Sequence, residues 1–97
     1  MVTQYQRGVS KEYKAMEMLK EEGWVVARSA GSHSPVDVFA ARSGMTLLIQ
    51  VKNGKARVKV EEAKELVKWA EAFNADAEIW HFKGRGHLEK RRLRARK

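Results

Sequence analysis

The sequence predicts a single α/β domain in which helices flank a mixed sheet, with the element order αβββαβ. Apolar residues recur at helical spacing in two long segments, and four shorter segments are rich in apolar and β-branched residues. The 97 residues suit one domain with one core, and 43% hydrophobic and 33% charged residues are typical of a globular protein. No internal repeat or long linker divides the chain.

The first helix is predicted over residues 4–22. Thr3 and Gln6 have the spacing of a capping box at its start, and Gly23 is the residue type that commonly follows a helix. Its predicted apolar stripe consists of Val9, Tyr13, Met16 and Leu19.

Three strands are predicted next, over residues 24–28, 36–41 and 46–52. The first two are separated by a polar loop at 29–35, and RSGM at 42–45 reads as a hairpin turn between the second and third. The second and third strands are therefore expected to pair antiparallel.

A second helix is predicted over residues 59–73, ending at Asn74, with a fourth strand at 77–82. Glu61 and Glu62 lie in its first turn, where acidic residues complement the helix dipole. Its predicted buried stripe consists of Ala63, Leu66, Val67, Ala70 and Phe73. The glycines at 84 and 86 divide the chain into a predicted domain, 1–86, and a basic C-terminal tail, 87–97.

The net charge of +8 is concentrated near the C-terminus. Residues 83–97 contain eight Lys or Arg and one Glu, whereas residues 1–82 contain twelve basic and eleven acidic side chains. Such a segment suits a polyphosphate partner, because neutralising phosphates releases condensed counterions. A solubilising tail is the simpler alternative.

Composition also excludes several classes of protein. The chain has no cysteine, so it has neither disulfides nor a thiolate metal site. No apolar run approaches the roughly 20 residues of a membrane-spanning helix, and the N-terminus does not resemble a signal peptide. A cytoplasmic or otherwise intracellular protein is the expectation.

Polar side chains interrupt the apolar strands at one place. Gln50 and Lys52 flank Val51 and therefore point to the same side of their strand. Counted outward from the hairpin turn, Asp37 falls about opposite Gln50. An acid, an amide oxygen and an ammonium group are thus expected to cluster, and Glu12 on the first helix is positioned to face the same sheet edge.

This cluster has a chemical use as well as a structural explanation. Carboxylate and amide oxygens are hard ligands that suit Mg²⁺ or Mn²⁺, and a neighbouring lysine stabilises charge on a phosphate under attack. Alternatively, Asp37 is a strand-end turn former and the pattern of an acid followed by Gln50 and Lys52 is structural. Taken one at a time, these residues favour the structural explanation.

Several motifs in combination resemble the archaeal-type Holliday junction resolvases of the PD-(D/E)xK nuclease superfamily. They are RGVSKE (7–12), VVARSAGS (25–32), PVDVFAA (35–41), LIQVK (48–52) and the aromatic pair Trp69 and Phe73. The resemblance implies a restriction-endonuclease-like fold. It also implies a homodimeric endonuclease that binds four-way DNA junctions and nicks two opposed strands with Mg²⁺ as cofactor, and Mn²⁺ is the alternative ion.

The resemblance also implies roles for individual residues. Glu12, Asp37 and Gln50 would be metal ligands, together with the backbone carbonyl of Val51. Lys52 would contact the scissile phosphate and the attacking water. Ser32 or Ser34 would match a loop serine near the active centre. Arg7 and Arg28 would contact DNA.

Gln50 departs from the family pattern, in which this position is usually Glu. An amide oxygen still coordinates Mg²⁺, but the exchange removes one negative charge and is expected to weaken metal binding. Two alternatives follow: a nuclease of the same fold that cuts flaps or nicked duplexes, or a junction-binding module whose catalytic site has decayed.

Two further segments carry predictions. Lys55, Arg57 and Lys59 alternate directly after the candidate site, so in an extended segment they would offer three cations to a phosphate backbone. Trp69 and Phe73 share one face of the second helix. Phe73 fits the core stripe, whereas Trp69 lies off it, and the pair is assigned to a dimer interface, with base stacking as the alternative for Trp69.

Overall fold

The computed structural model describes residues 4–29 and 33–97, and within the first helix it describes side chains from residue 8 onward. The elements are α1 (Gln4–Glu21), β1 (Val25–Arg28), β2 (Val38–Arg42), β3 (Met45–Asn53), α2 (Val60–Phe73), β4 (Asp76–Lys83) and β5 (His87–Arg94). All six predicted elements are present, within two residues of their predicted ends, and a seventh follows them. The capping box at Thr3 and Gln6 lies outside the described side chains.

The five strands form one mixed sheet in the order β1-β2-β3-β4-β5. The β1–β2, β2–β3 and β4–β5 pairs are antiparallel, and the β3–β4 pair is parallel. A parallel pair requires a crossover connection, and α2 provides it. The prediction of an α/β fold with a mixed sheet flanked by helices is confirmed.

The two helices cover opposite faces of the sheet. Ala15 and Leu19 of α1 pack with Ile49 on one face, and Leu66 of α2 packs with Leu48 on the other. Neighbouring residues of β3 serve both cores because successive strand side chains alternate in direction. Each large apolar side chain buried in this way contributes roughly 1.5–3 kcal/mol. Neither described helix is long and apolar enough to span a membrane.

The chain reverses where the sequence predicts. Gly23 follows α1 with a φ of 89°, and Asn74 ends α2 in the left-handed conformation, with φ 49° and ψ 51°. Ser43 and Gly44 both have positive φ, as a two-residue type I′ hairpin turn requires. This turn fixes the register of β2 against β3.

Two predictions about the apolar stripes are wrong. Tyr13 is 52% exposed and Phe73 is 50% exposed. In α1 the fully buried residues are Ala15 and Leu19, and Tyr13, two residues from Ala15, is rotated by about 200° around the helix. The Tyr13 ring instead lies against Arg28, and Phe73, the last residue of α2, packs against other aromatic rings beyond the edge of the core.

The segment set apart as a basic tail contains strand β5, which pairs with β4 from Ala77 to Lys83. Its cations make specific contacts with the domain. Arg92 donates to the buried carboxylate of Glu78 (Nε to Oε2, 3.1 Å), and Arg94 donates to the carbonyl of Ala75 (2.7 Å) after the end of α2. Whether residues 1–86 form a domain without this strand stays a prediction.

Glu78 connects the two C-terminal strands. The residue is only 9% exposed, and its carboxylate accepts hydrogen bonds from Trp80 Nε1 (2.9 Å) and from Arg92. We expect Glu78→Ala to lower the free energy of unfolding by about 2–4 kcal/mol, because it leaves the buried indole N–H of Trp80 without its acceptor and leaves Arg92 with only the longer ion pair to Asp76 (3.4 Å). Urea denaturation followed by circular dichroism measures this loss.

Glu89→Ala is the matched control for Glu78→Ala. It removes a carboxylate from an exposed pair with Lys83 (2.7 Å) and should lower the free energy of unfolding much less than Glu78→Ala does. Equal losses for the two variants would contradict the role given to Glu78.

Candidate active site at the end of strand β3

The pairing of β2 with β3 brings Asp37 to the end of β3. Val38 lies opposite Ile49 in the register, and the Asp37 N–H donates to the Ile49 carbonyl at 2.8 Å. The Val51 N–H donates to Asp37 Oδ2, also at 2.8 Å. Asp37 is therefore held beside the Gln50 position, where the residue count from the hairpin turn predicts it.

Gln50 and Lys52 point to the face of the sheet that α2 covers. Gln50 is 6% exposed and the Lys52 side chain 17% exposed, so both polar groups are largely withdrawn from water. Val51 between them packs on the opposite face, against the α1 core. The structure thus brings together Asp37, Gln50 and Lys52.

Burial dominates the electrostatics of Asp37. Desolvation raises the pKa of its carboxyl group to about 6. The Val51 hydrogen bond and the charge of Lys52 oppose this rise in the pKa, whereas the carboxylates of Glu12 and Glu62 add to it. The site therefore contains more negative charge than its own lysine compensates, which favours a bound cation.

Glu62, in the first turn of α2, is the residue of this site that the sequence analysis missed. Its Oε2 accepts from Lys52 Nζ at 2.8 Å and from Gln50 Nε2 at 3.3 Å. The hydrogen bond from Lys52 lowers the pKa of Glu62 below its usual value, and burial partly opposes this effect. The sequence analysis gave Glu62 only a helix-dipole role.

One signal in the sequence pointed to Glu62. Lys52 is a cation at the end of an apolar strand, so it needs a counter-charge, and the next helix begins only eight residues later with two glutamates. A crossover helix returns along the same strands, so its first turn lies near the end of β3.

The oxygen of the Gln50 amide has no partner. Oε1 is buried and, within the part of the chain that the structure describes, accepts no hydrogen bond. A buried acceptor without a donor costs free energy, and a hard cation is a suitable partner for an amide oxygen. The described residues contain no cluster of three His, Cys, Asp or Glu side chains placed to bind a metal, so an amide or carbonyl oxygen would have to complete the ligand set.

Glu12 and Arg28 form an ion pair beside this cluster. Arg28 Nη1 lies 3.0 Å from Glu12 Oε1, and the guanidinium group lies 4.9 Å from the centre of the Tyr13 ring. The hydrogen bond to Glu12 raises the pKa of Arg28. A residue assigned to metal binding and a residue assigned to DNA binding are thus paired with each other, and Glu12 still acts on Asp37 through its charge.

The remaining predicted residues are distributed around this centre. Lys55, Arg57 and Lys59 are all exposed in the segment between β3 and α2. A cleft of about 730 Å³ opens beside them, lined by Gly8, Val51, Lys52, Asn53, Gly54, Lys55 and Ala56. The Ser34 hydroxyl group donates to the carbonyl of Val36 and accepts from the Val36 N–H, within its own loop. Ser32 and the Arg7 side chain lie outside the described residues.

Trp69 and Phe73 of α2 stack on each other next to Phe39 of β2. Their ring centroids are 6.2 Å apart at an interplanar angle of 13°, and Phe73 also lies 6.1 Å from the Phe39 ring. Trp69 is partly buried against the α2 core, whereas Phe73 is half exposed. Together the three rings form an aromatic patch that is far from fully covered.

Comparison with solved structures gives the class of the fold. The chain is similar to Archaeoglobus fulgidus Hjc, described as a Holliday junction resolvase from an archaeal hyperthermophile. The TM-score is 0.79 with 26% sequence identity, over 90% of this chain and 73% of that one. The fold is therefore the α/β fold of that resolvase.

Comparison with protein families identifies the family. The model of the archaeal Holliday junction resolvase (Hjc) family matches residues 3–94, and the chain belongs to this family. It is also 35% identical over 72 residues to the crossover junction endodeoxyribonuclease Hjc of Methanocaldococcus jannaschii. That match covers 71% of this chain and 53% of the relative, so the match spans about half the relative's length.

The raised pKa of Asp37 predicts how the stability of the metal-free protein depends on pH. The carboxyl pKa is about 6 in the folded protein and about 4 in the unfolded chain. The folded state therefore holds the proton more tightly, so stability falls as pH rises from about 4 to 6, and the cost persists above that range. In EDTA, Asp37→Asn should add about 1–3 kcal/mol of unfolding free energy at pH 7.5 and little at pH 4.

Chemical denaturation of both proteins at the two pH values measures this difference. Glu17→Gln, which removes an exposed carboxylate paired with Lys20, is the control and should change stability by less than about 1 kcal/mol at either pH. An Asp37→Asn protein no more stable than the parent at pH 7.5 would show that burial of this charge is not costly.

Proposed function

We propose that this chain is a structure-selective DNA endonuclease that resolves four-way junctions by divalent-metal-dependent hydrolysis of phosphodiester bonds. The observation that carries the proposal is the convergence of Asp37, Gln50 and Lys52 beside an open cleft. Membership of the Hjc family supports it, as does the name of the Methanocaldococcus jannaschii relative, a crossover junction endodeoxyribonuclease.

The proposed metal ligands are Asp37, Gln50 through Oε1, the carbonyl of Val51, and Glu12. The unpartnered amide oxygen and the excess of negative charge at Asp37 fit a hard cation, which we propose to be Mg²⁺, with Mn²⁺ as a substitute. A bound divalent ion at this place supplies positive charge to a phosphate oxygen and lowers the pKa of a coordinated water.

The protein's own groups have separate tasks in this mechanism. Asp37 is oriented by the Val51 N–H, so its second oxygen is left for a ligand. Lys52 lines the cleft, and its ammonium group can stabilise the charge that develops on the scissile phosphate. Because Gln50 and Lys52 are largely withdrawn from water, electrostatic interactions with these side chains are stronger than they would be in solution.

DNA is proposed to lie along the cleft and the basic segment after β3. Lys55, Arg57 and Lys59 are exposed there and would contact the phosphate backbone, as would Arg7 and Arg28. Contacts of this kind position a duplex without reading its sequence, so recognition would depend on the shape of the branch point. Because branched DNA arises inside cells, we also propose a cytoplasmic location.

A homodimer is proposed because a junction requires two symmetric cuts. A two-fold axis presents two equivalent sites to a substrate of near two-fold symmetry. The aromatic patch of Trp69, Phe73 and Phe39 is the proposed interface, since half-exposed stacked rings are unusual on a monomer surface.

Cleavage of a labelled four-way junction tests the proposed activity. Paired symmetric nicks are expected in Mg²⁺ or Mn²⁺, and Asp37→Asn should reduce the rate at least about 100-fold because a charged ligand is lost. Duplex and flap substrates are the controls. Preferential cutting of flaps would select a flap nuclease of the same fold. Junction binding without cleavage in both Mg²⁺ and Mn²⁺ would select the junction-binding module whose catalytic site has decayed. The absence of a carboxylate at position 50 is the observation that favours this alternative.

Sedimentation velocity tests the proposed dimer. The protein should sediment at about twice its chain mass of 11.1 kDa at micromolar concentration. Phe73→Asp should produce folded monomers, because it places a charge in the proposed interface at a residue that is already half exposed. Val60→Asp, an equally polar change at an exposed position at the other end of α2, is the control and should leave the dimer intact. A wild-type monomer would rule the interface out.

A further inference from the structure

Glu62 makes three contacts at the candidate site, divided between its two oxygens. Oε2 accepts from Lys52 Nζ (2.8 Å) and from Gln50 Nε2 (3.3 Å). Oε1 accepts from the backbone N–H of Lys59 (3.2 Å), at the start of α2. One carboxylate therefore joins the end of β3 to the first turn of the helix that follows it.

These contacts determine which way the Gln50 amide faces. A glutamine side chain offers an NH₂ donor on one side and a carbonyl acceptor on the other, and a carboxylate can only accept. With Glu62 beside it, Gln50 must present its NH₂ group to Glu62. Its oxygen then faces the opposite way, and that buried oxygen accepts no hydrogen bond from any residue that the structure describes.

The same contacts also return a negative charge to the site. Gln50 carries none, but the Glu62 carboxylate lies 3.3 Å from the Gln50 amide nitrogen. A glutamate at position 50 would stand about 3.3 Å from Glu62 and repel it, whereas the amide forms a hydrogen bond with it. Gln50 and Glu62 are therefore complementary as hydrogen-bond donor and acceptor, and the role of each residue depends on the presence of the other.

We propose that Glu62 is a positioning residue that orients the Gln50 amide oxygen and the Lys52 ammonium group toward the divalent metal and the phosphate. The inference rests on the proposed metal-dependent activity and assigns to α2 a part of the site that the β2 and β3 motifs do not contain. A neutral amide at position 50 is then part of a working site, because Glu62 on α2 supplies the negative charge that Gln50 lacks.

A purely structural role for Glu62 makes a different prediction. Its Oε1 caps the backbone of Lys59, and a glutamine at the same position could accept that hydrogen bond equally well. Glu62→Gln therefore preserves the cap and removes the charge. A capping role predicts no change in metal affinity for this variant, whereas a positioning role predicts a large one.

Calorimetric titration of the full chain with Mn²⁺, without DNA, tests the proposal. Glu62→Gln should weaken Mn²⁺ binding about 10-fold or more, as loss of a group that orients a ligand commonly does. Glu61→Gln is the matched control. It removes the same charge at the neighbouring position, where the side chain is exposed, and should leave the Mn²⁺ affinity within about 2-fold of the wild type.

The reciprocal exchange tests the pairing. Gln50→Glu alone should lower the melting temperature of the metal-free protein, since two carboxylates then face each other across about 3.3 Å. Combined with Glu62→Gln, it should restore the melting temperature, because donor and acceptor have simply changed places. The double variant should also bind Mn²⁺ within about 3-fold of the wild type.

The outcomes separate this inference from the proposed function. Wild-type Mn²⁺ affinity in Glu62→Gln, with junction cleavage intact, would overturn the inference and leave the proposed function standing. Equal weakening by Glu61→Gln would also overturn it, since any nearby charge would then suffice. No Mn²⁺ binding by the wild type would overturn both, and tight Mn²⁺ binding without cleavage would overturn only the nuclease.

Discussion

The structure depends on the register between β2 and β3, because this pairing places an acid against the backbone of the strand that carries the amide and the lysine. The type I′ turn at Ser43 and Gly44 sets that register, and the hydrogen bond from the Val51 N–H to Asp37 continues it beyond the last ladder pair. A slip of one residue would turn Gln50 and Lys52 into the α1 core and bring apolar side chains to the cleft.

Ion pairs between partly buried cations and carboxylates determine the arrangement of the rest of the site. Lys52, whose charge acts on Asp37, is paired with Glu62, and Arg28 is paired with Glu12. Each pair joins two elements, so the helices that cover the two faces of the sheet each deliver an acid to the same end of it. Asp37 between them has no cation of its own at hydrogen-bonding distance among the described contacts, which explains why burial controls its pKa.

The basic residues of strand β5 stabilise the fold as well as contributing to the positive charge of the chain. Arg92 and Arg94 of β5 satisfy a buried carboxylate and a helix-end carbonyl, and Lys90 lies 4.2 Å from the centre of the Trp80 ring. These cations stabilise the sheet edge, and the exposed ones also give the surface a positive potential. High positive charge on an edge strand further discourages pairing with another sheet.

The sequence by itself determined the helices, the first four strands, the hairpin register and the meeting of Asp37, Gln50 and Lys52, because local periodicity and turn chemistry specify all of these. It did not determine β5, whose cations hide the strand pattern, or the exposure of Tyr13 and Phe73, which depends on how each helix is rotated. Only the tertiary structure brought Glu62 to Gln50 and Glu12 to Arg28, because these contacts join residues distant in sequence through packing of helix on sheet.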